Sequence, residues 1–424
     1  MNLKMSITNP IPGNKFLGVF LLGLLIGLSQ CTTKNTSKIV LEEEPTNYAA
    51  KEIPVHAEIQ LPEKLRNVSN DELSVTLQTK SGKFSDVPGQ ITESATGERE
   101  LWWILPETTD NKVEWDATIK KDSSQQKTGF KWVDTPNKHL DLFLDGRRVF
   151  RYSYQLDEHL HKGKTLTERN KPFYHIYDLQ GTSKITNGPE EGVWSHHRGI
   201  MIGWRNVGFQ GQDLSFWGME DLTVQKHIKF IKNVAGPVLA QTEALIHWND
   251  STGTTIIEEK RQATIYRQAA PDLLVLDFKS TLKAVNGAVN LDGNAEHGGV
   301  QFRAHNDVAE GAPGSKKPTY YFNKDNIDPH KDFNLPWVGM SYGLNNKTYS
   351  ILQMDNPENP RPTVWSAYRD YGRFGPFFSK KLAANESFTV RYRFWMGEEN
   401  MPARNVLSEK YQAYIHPVKI QVVE

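Results

Sequence analysis

"ALIHWNDSTGTTIIEEKRQATIYR" (244–267) reads as two runs of alternating character around a turn that contains Asn249, Asp250, Ser251 and Gly253. A period of two sends every second side chain to the same face of a strand. A polar turn with glycine between two such runs predicts an antiparallel hairpin. Outward from it, "TVQKHIKFI" (223–231) alternates in the same way, and "LLVLDFKSTLKAV" (273–285) puts Leu274, Leu276, Phe278 and Leu282 on one face. Beyond the N-terminal segment, "ARNVLSEKYQAYI" (403–415) alone suggests a helical period. The fold class is therefore all-β. So many strands over residues 135–424 exceed one simple sandwich and predict a large antiparallel β-supersandwich of two stacked, curved sheets.

Ahead of it, "AEIQL", "LSVTLQT", "LWWILP" and "VEWDATIK" are separated by turn clusters, which predicts a small immunoglobulin-like β-sandwich over 54–134. It carries no clustered His, Asp and Glu set and reads as a spacer, with a boundary near Thr135 and Pro136. Two domains agree with the length of 424 residues.

The N-terminus has Lys4 and Lys15, then the apolar run "FLGVFLLGLLIGL" (16–28) and "LSQC" (28–31). The run is shorter than the roughly 20 residues that span a bilayer. Residues 1–30 read as a lipoprotein signal peptide ending at a lipid-modified Cys31, with Gln30 where a small residue is usual. Thr32 stands where Asp would mark inner-membrane retention, which favours the outer membrane with the body facing the periplasm or the cell exterior. Residues 31–53 are polar and aperiodic and read as a tether. Cys31 is the only cysteine, so its acylation would leave no thiol for catalysis.

Lys plus Arg equals Asp plus Glu at 50 each. No net field draws the chain to nucleic acid, and no basic cluster marks a nucleic-acid face. Eleven tryptophans suit flat sugar-ring contacts as well as packing in a large sheet.

Four constellations could carry chemistry. In "VWSHHRGIMIGW" (193–204), a regular strand would place His196 and Arg198 on one face and His197 on the other, which disfavours a shared metal. Histidine beside arginine suits binding and protonating an oxygen-rich, partly anionic ligand. In "EHGGVQFRAH" (296–305), the glycines beside His297 permit close backbone approach or a bulge, and Gln301, Arg303 and His305 alternate opposite Val300 and Phe302. Such a polar row is costly to bury unless it lines a wet groove. In "DNPENPRPTVWSAYRDYGRFGPFF" (355–378), prolines imply a rigid loop that presents Asn359, Arg361, Trp365, Arg369, Asp370 and Tyr371. The opening hairpin adds Glu243, His247, Glu258, Glu259, Lys260 and Arg261. Cross-strand ion pairs explain these equally well, and only one of Glu258 and Glu259 can face a cleft.

"HHRG" (196–199), "FWG" (216–218), "EEKR" (258–261), "HGGVQFR" (297–303) and "NPENPRPTVWSAYRDYG" (356–372) together resemble a bacterial family of secreted proteins catalogued under the label methane oxygenase PmoA. The likeness covers residues 140 to 400 or so. Ser215, Ser366 and Ala367 depart from the pattern. The label cannot be literal, since such an oxygenase needs several transmembrane helices and a copper site. The resemblance implies a galactose mutarotase-like supersandwich, a fold on which many proteins bind or process carbohydrates with histidine and carboxylate as acid and base.

The expectation is thus an exported enzyme acting on a saccharide or sugar derivative by hydrolysis, elimination or epimerisation. His196 or His197 would deliver a proton, Glu259 (or Glu258) would be the base, and His297 would join them. Arg198 and Arg303 would hold oxygens or a uronate carboxylate, and Trp217, Trp365 and Tyr371 would offer stacking faces. His247, Gln301, Asn359 and Arg369 would add contacts, with no cofactor and no metal. The rival readings are a non-catalytic glycan-binding lipoprotein on the same fold, and a metal-dependent oxidoreductase that joins His196 or His197 to His297 or His305.

Overall fold

The hairpin forms as expected: Leu239–Asn249 and Thr255–Tyr266 pair antiparallel, with Trp248 opposite Ile257. The computed structural model describes residues 36–109, 111–122, 128–155, 171–189, 193–194 and 196–423. Residues 1–30 and Cys31, the expected signal peptide and lipidation site, lie outside the described residues. From Asn35 on, the chain clusters as a single compact unit.

The hairpin belongs to an eight-stranded antiparallel sheet. Its order is Val224–Ala235, Leu239–Asn249, Thr255–Tyr266, Asp272–Ala284, Ser387–Gly397, Lys347–Asp355, Trp337–Leu344 and Lys316–Phe322. Leu274, Leu276, Phe278 and Leu282 are buried on its inner face. A seven-stranded sheet faces it, running Arg373–Phe374, Gly298–Arg303, Ile200–Trp204, Phe173–Ile176, Arg147–Ser153, His139–Leu144 and Phe130–Thr135. One core joins the two, with Phe150, Tyr174, Ile200, Ile202 and Phe302 against Ile246, Phe278, Ile351 and Phe394. Each such side chain contributes about 1.5–3 kcal/mol of burial. Strand alternation then turns Phe173, His175, Met201, Gln301, Arg303 and Arg373 to the second face of the seven-stranded sheet.

The first module differs from its sequence reading at both ends. Thr36–Glu43, expected within the tether, is a strand with Ile39 and Leu41 buried. Its alternation is short and flanked by charge, so it reads as aperiodic until a partner is known. The module is one continuous seven-stranded sheet in the order Lys51–Ile59, Arg99–Glu107, Val87–Glu93, Leu73–Thr79, Val113–Lys121, Thr36–Glu43 and Ile420–Val422. Its first and last strands lie against each other, so the sheet folds over its own core. Ala413 and Val418 enter that core from the far end of the chain. Phe130–Thr135 pairs with His139–Leu144, so the larger unit begins before residue 135. The helix Arg404–Ile415 forms with Leu407 and Tyr411 buried, four residues apart on one face. Among the described residues no helix is long and apolar enough to cross a membrane.

Candidate functional site

The two histidines sit in a turn that enters the seven-stranded sheet, not on a strand. Strand pairing starts only at Ile200. The His197 N–H donates to the Trp194 carbonyl at 2.8 Å, and Trp194 takes a left-handed φ of 55°. Asn187 Nδ2 donates to the His197 carbonyl at 2.7 Å. A Cβ at Gly199 would overlap the Tyr174 carbonyl oxygen, so only glycine lets the turn approach the sheet this closely. Strand alternation therefore does not separate the histidines, and their rings meet edge to face at 4.3 Å. Beneath them the buried Lys171 ammonium donates to the carbonyls of His196 and Trp217. Arg198, also buried, donates to the Lys171 carbonyl at 3.0 Å and lies over the Phe173 ring.

The row from "HGGVQFR" completes the site. Gly299 has a φ of 78°, and a Cβ there would overlap the Pro376 carbonyl oxygen. Gln301 and Arg303 share the face turned from the common core, while Val300 and Phe302 fill that core. His305 leaves the row, because it caps the helix Asn306–Glu310 with Nδ1 accepting from the Asp307 N–H. Arg303 stands directly opposite Arg373. The Arg373 guanidinium donates to Gln301 Oε1 at 3.0 Å and to the Tyr371 hydroxyl at 3.1 Å. Arg303 Nη1 donates to the carbonyls of Ala304 and Tyr371. Its Nε and Nη2 are buried without a hydrogen-bond partner among the described residues. The Tyr371 ring lies 5.1 Å from the Arg303 guanidinium and 5.8 Å from that of Arg373. Among the described residues neither arginine pairs with a carboxylate. An unmet buried donor costs roughly 1–3 kcal/mol, more when charged. Burial, with the Arg373 charge adding to it, holds Arg303 down at about 10.

His197 is buried with neither ring nitrogen hydrogen-bonded among the described residues. Its ring lies parallel to Tyr371 at 5.9 Å and edge-on to Trp217 at 5.6 Å. Burial, reinforced by Arg373, keeps its imidazolium well below the usual range. Burial and the Lys171 charge lower His196 to about 3, and burial with Arg373 lowers His297 to about 4. The tautomer of His297 follows from its neighbour. The Glu296 N–H donates to Asn294 Oδ1, so that atom is an acceptor, and His297 Nδ1 at 3.0 Å must donate to it. The lone pair is then on Nε2. Trp217 is the shared wall, 5.9 Å from His297 and 5.4 Å from the Arg373 guanidinium.

Five expected residues lie elsewhere or serve other ends. Glu259 faces inward on the eight-stranded sheet, where Arg261, Trp248 and Ser280 all donate to its carboxylate within 2.8 Å. A carboxylate so saturated has no lone pair left for a base. His247 is on the opposite face of that sheet beside Glu258 at 3.6 Å. Asn359 clamps the backbone of Arg391 and bonds Asp355. Trp365 is wholly buried in the common core against Phe374, so it offers no stacking face. Arg369 pairs with Glu296, which also accepts from the Tyr368 hydroxyl, at the neighbour of His297. Trp217 belongs to the site, although burial makes it a wall and not an open platform.

Sequence reasoning missed Lys171, Arg373, Trp194 and Glu220. Arg373 follows Tyr371 by two positions in a strand-like run, which was its available signal. Glu220 is exposed, and its charge acts on both Lys171 and His297. Among the described residues no group of three or more His, Cys, Asp and Glu side chains is placed to hold a metal ion.

Residues 139–418 match the model of a family described as "Family of unknown function (DUF6807)", and the chain belongs to that family. That description assigns no activity and does not support the methane oxygenase label. No curated protein matches the chain. Among solved structures it is similar to a candidate kojibiose phosphorylase from the human microbiome, at 10% identity and a TM-score of 0.31, over 68% of this chain and 35% of that one. It thus spans about a third of that protein's length. It is also similar to a candidate aldose 1-epimerase of Escherichia coli K12, at 10% identity and a TM-score of 0.28, over 64% of this chain and 99% of that one.

Proposed function

We propose that this protein binds an acidic saccharide on the second face of the seven-stranded sheet and acts on it as a lyase, by proton transfer. The observation that carries the reading is the Arg303–Arg373 pair, set about Tyr371 without a carboxylate partner among the described residues. A ligand carboxylate would fill Nε and Nη2 of Arg303 with charge-assisted hydrogen bonds, about twice as strong as neutral ones. The same charges would stabilise the negative charge that grows on that carboxylate as the proton on the adjacent carbon leaves. His297 Nε2 takes that proton. The C–H electron pair becomes a C=C bond while the next C–O bond breaks. The Tyr371 hydroxyl accepts from Arg373, so its own proton is free to go to the departing oxygen. Ligand charge would offset Arg373 at His297 and raise its basicity. Hydrolysis fits less well, since it calls for two flanking carboxylates. Glu259 is saturated, and Glu296 is held by Arg369 and Tyr368, which leaves Glu220 as a single carboxylate among those named at the site.

The test is a panel of uronate polymers followed by the ultraviolet absorbance of the new double bond. His297→Ala and Tyr371→Phe are expected to lower turnover at least a hundredfold while Tyr371→Phe still binds. One observation favours the second reading, a glycan-binding protein without chemistry: burial holds His196 and His297 both far below their ordinary values. Binding that depends on Arg303 with no unsaturated product from any polymer would establish it.

We propose too that the body is exported and anchored through lipid on Cys31, at the outer membrane. The support is the "LSQC" stretch and the apolar run before it. Palmitate labelling that persists in Cys31→Ala would overturn this.

A further inference from the structure

Trp194 is an exposed indole at the edge of a buried cluster. It is 46% exposed, whereas Tyr371 behind it is 9% exposed and His197 4%. Its ring packs 4.6 Å from the Tyr371 ring and 6.0 Å from that of His197. Both contacts are tilted, at 45° and 37°, so the indole leans on the site with one side and the rest of its surface meets water. The backbone holds it there at a cost, because a bulky residue at φ 55° is an outlier. Two bonds fix the conformation: His197 N–H to the Trp194 carbonyl, and Val193 N–H to Oδ1 of the buried Asn306 at 3.0 Å. Strained backbone thus holds a large ring beside the site with nearly half of its surface left to solvent.

We infer that Trp194 is a stacking platform for the sugar ring next to the acidic one, so the ligand is an oligosaccharide of at least two units. The acidic ring occupies the arginine pair, and its neighbour lies on the outer indole face. This rests on the acidic-saccharide reading and adds chain length as what the site selects. An indole suits the apolar C–H face of a pyranose, and its rigidity keeps the entropic cost of that contact small.

The test measures binding of D-galacturonate, D-glucuronate and their homo-oligomers of two to four units by calorimetry, for wild type, Trp194→Ala, Trp194→Phe and Arg303→Ala. Trp194→Ala is expected to weaken the best oligomer about tenfold while leaving the monosaccharide within about twofold, and Trp194→Phe to recover most of the loss. Equal losses for monomer and oligomer, or no loss for either, would overturn the platform while leaving the acidic-saccharide reading intact. Arg303→Ala separates the two, since it should weaken monomer and oligomer alike. Wild type that binds no member of the panel, or binds with no dependence on Arg303, would overturn the acidic-saccharide reading and the platform with it.

Discussion

Arg303 and Arg373 stand directly opposite each other on paired antiparallel strands, both buried, with like charges facing. Like charges at opposed positions destabilise a sheet. An arrangement that costs the fold and binds an anion predicts a trade of stability for function. Arg303→Met is expected to leave thermal stability unchanged or raised while weakening acidic ligands at least a hundredfold. Thermal denaturation and calorimetry on the same samples check both halves.

Glu259 carries the opposite expectation. It is buried with Arg261, and its oxygens are fully occupied. Glu259→Gln would leave the Arg261 charge buried without its counter-ion, which costs about 3–5 kcal/mol. The loss should appear in urea denaturation, with the ligand affinity of the surviving folded fraction unaltered. A selective loss of affinity at unchanged stability would return Glu259 to the site.

The histidines predict a pH dependence whose sign follows from their burial. His196 and His297 are pulled from 6.5 down to about 3 and about 4. The unfolded chain therefore binds more protons than the native one between the ordinary and the lowered values. Their contribution to stability is whole above 6.5 and is lost as pH falls through that window. Glu43 and Asp355, raised by burial to about 7 and about 6, act in the other direction as pH rises. An anionic ligand reverses the histidine shift. Its binding should take up protons and tighten as pH drops from about 6.5 toward about 4. Binding heats measured in buffers of different ionisation enthalpy give the proton count directly.

Gly199→Ala should disrupt the turn that carries His197, because the added methyl would strike the Tyr174 carbonyl. A backbone atom cannot yield as a flexible side chain can. The expected result is a loss of several kcal/mol, on the order of the largest core substitutions. The control Gly211→Ala, at a turn with open space around it but a φ of 80°, carries only the backbone strain of a left-handed residue and should cost about 1–2 kcal/mol.

The faces of single strands were legible in the sequence, and the pairing between strands was not. Leu274, Leu276, Phe278 and Leu282 line one face as their spacing implies, and Gln301 and Arg303 share another. A period of two specifies which side chains lie together but not which sheet they confront. Glu259 and Arg303 both read as inward polar residues. One faces a partner two positions along its own strand, and the other faces Arg373. Trp365 sits in a loop sequence rich in hydrogen-bonding residues yet packs into the core. Thr36–Glu43 passed for a tether because its partner strand is far away in the chain.

Gln421 reaches Glu44 across 377 positions, and Ile420–Val422 adds the seventh strand to the sheet of the first module. A nascent polypeptide would emerge with Thr36–Glu43 unpaired on one side for most of its synthesis. Such an open edge invites pairing with other chains. A protein cut after Val418 should consequently self-associate through its oldest residues rather than its newest.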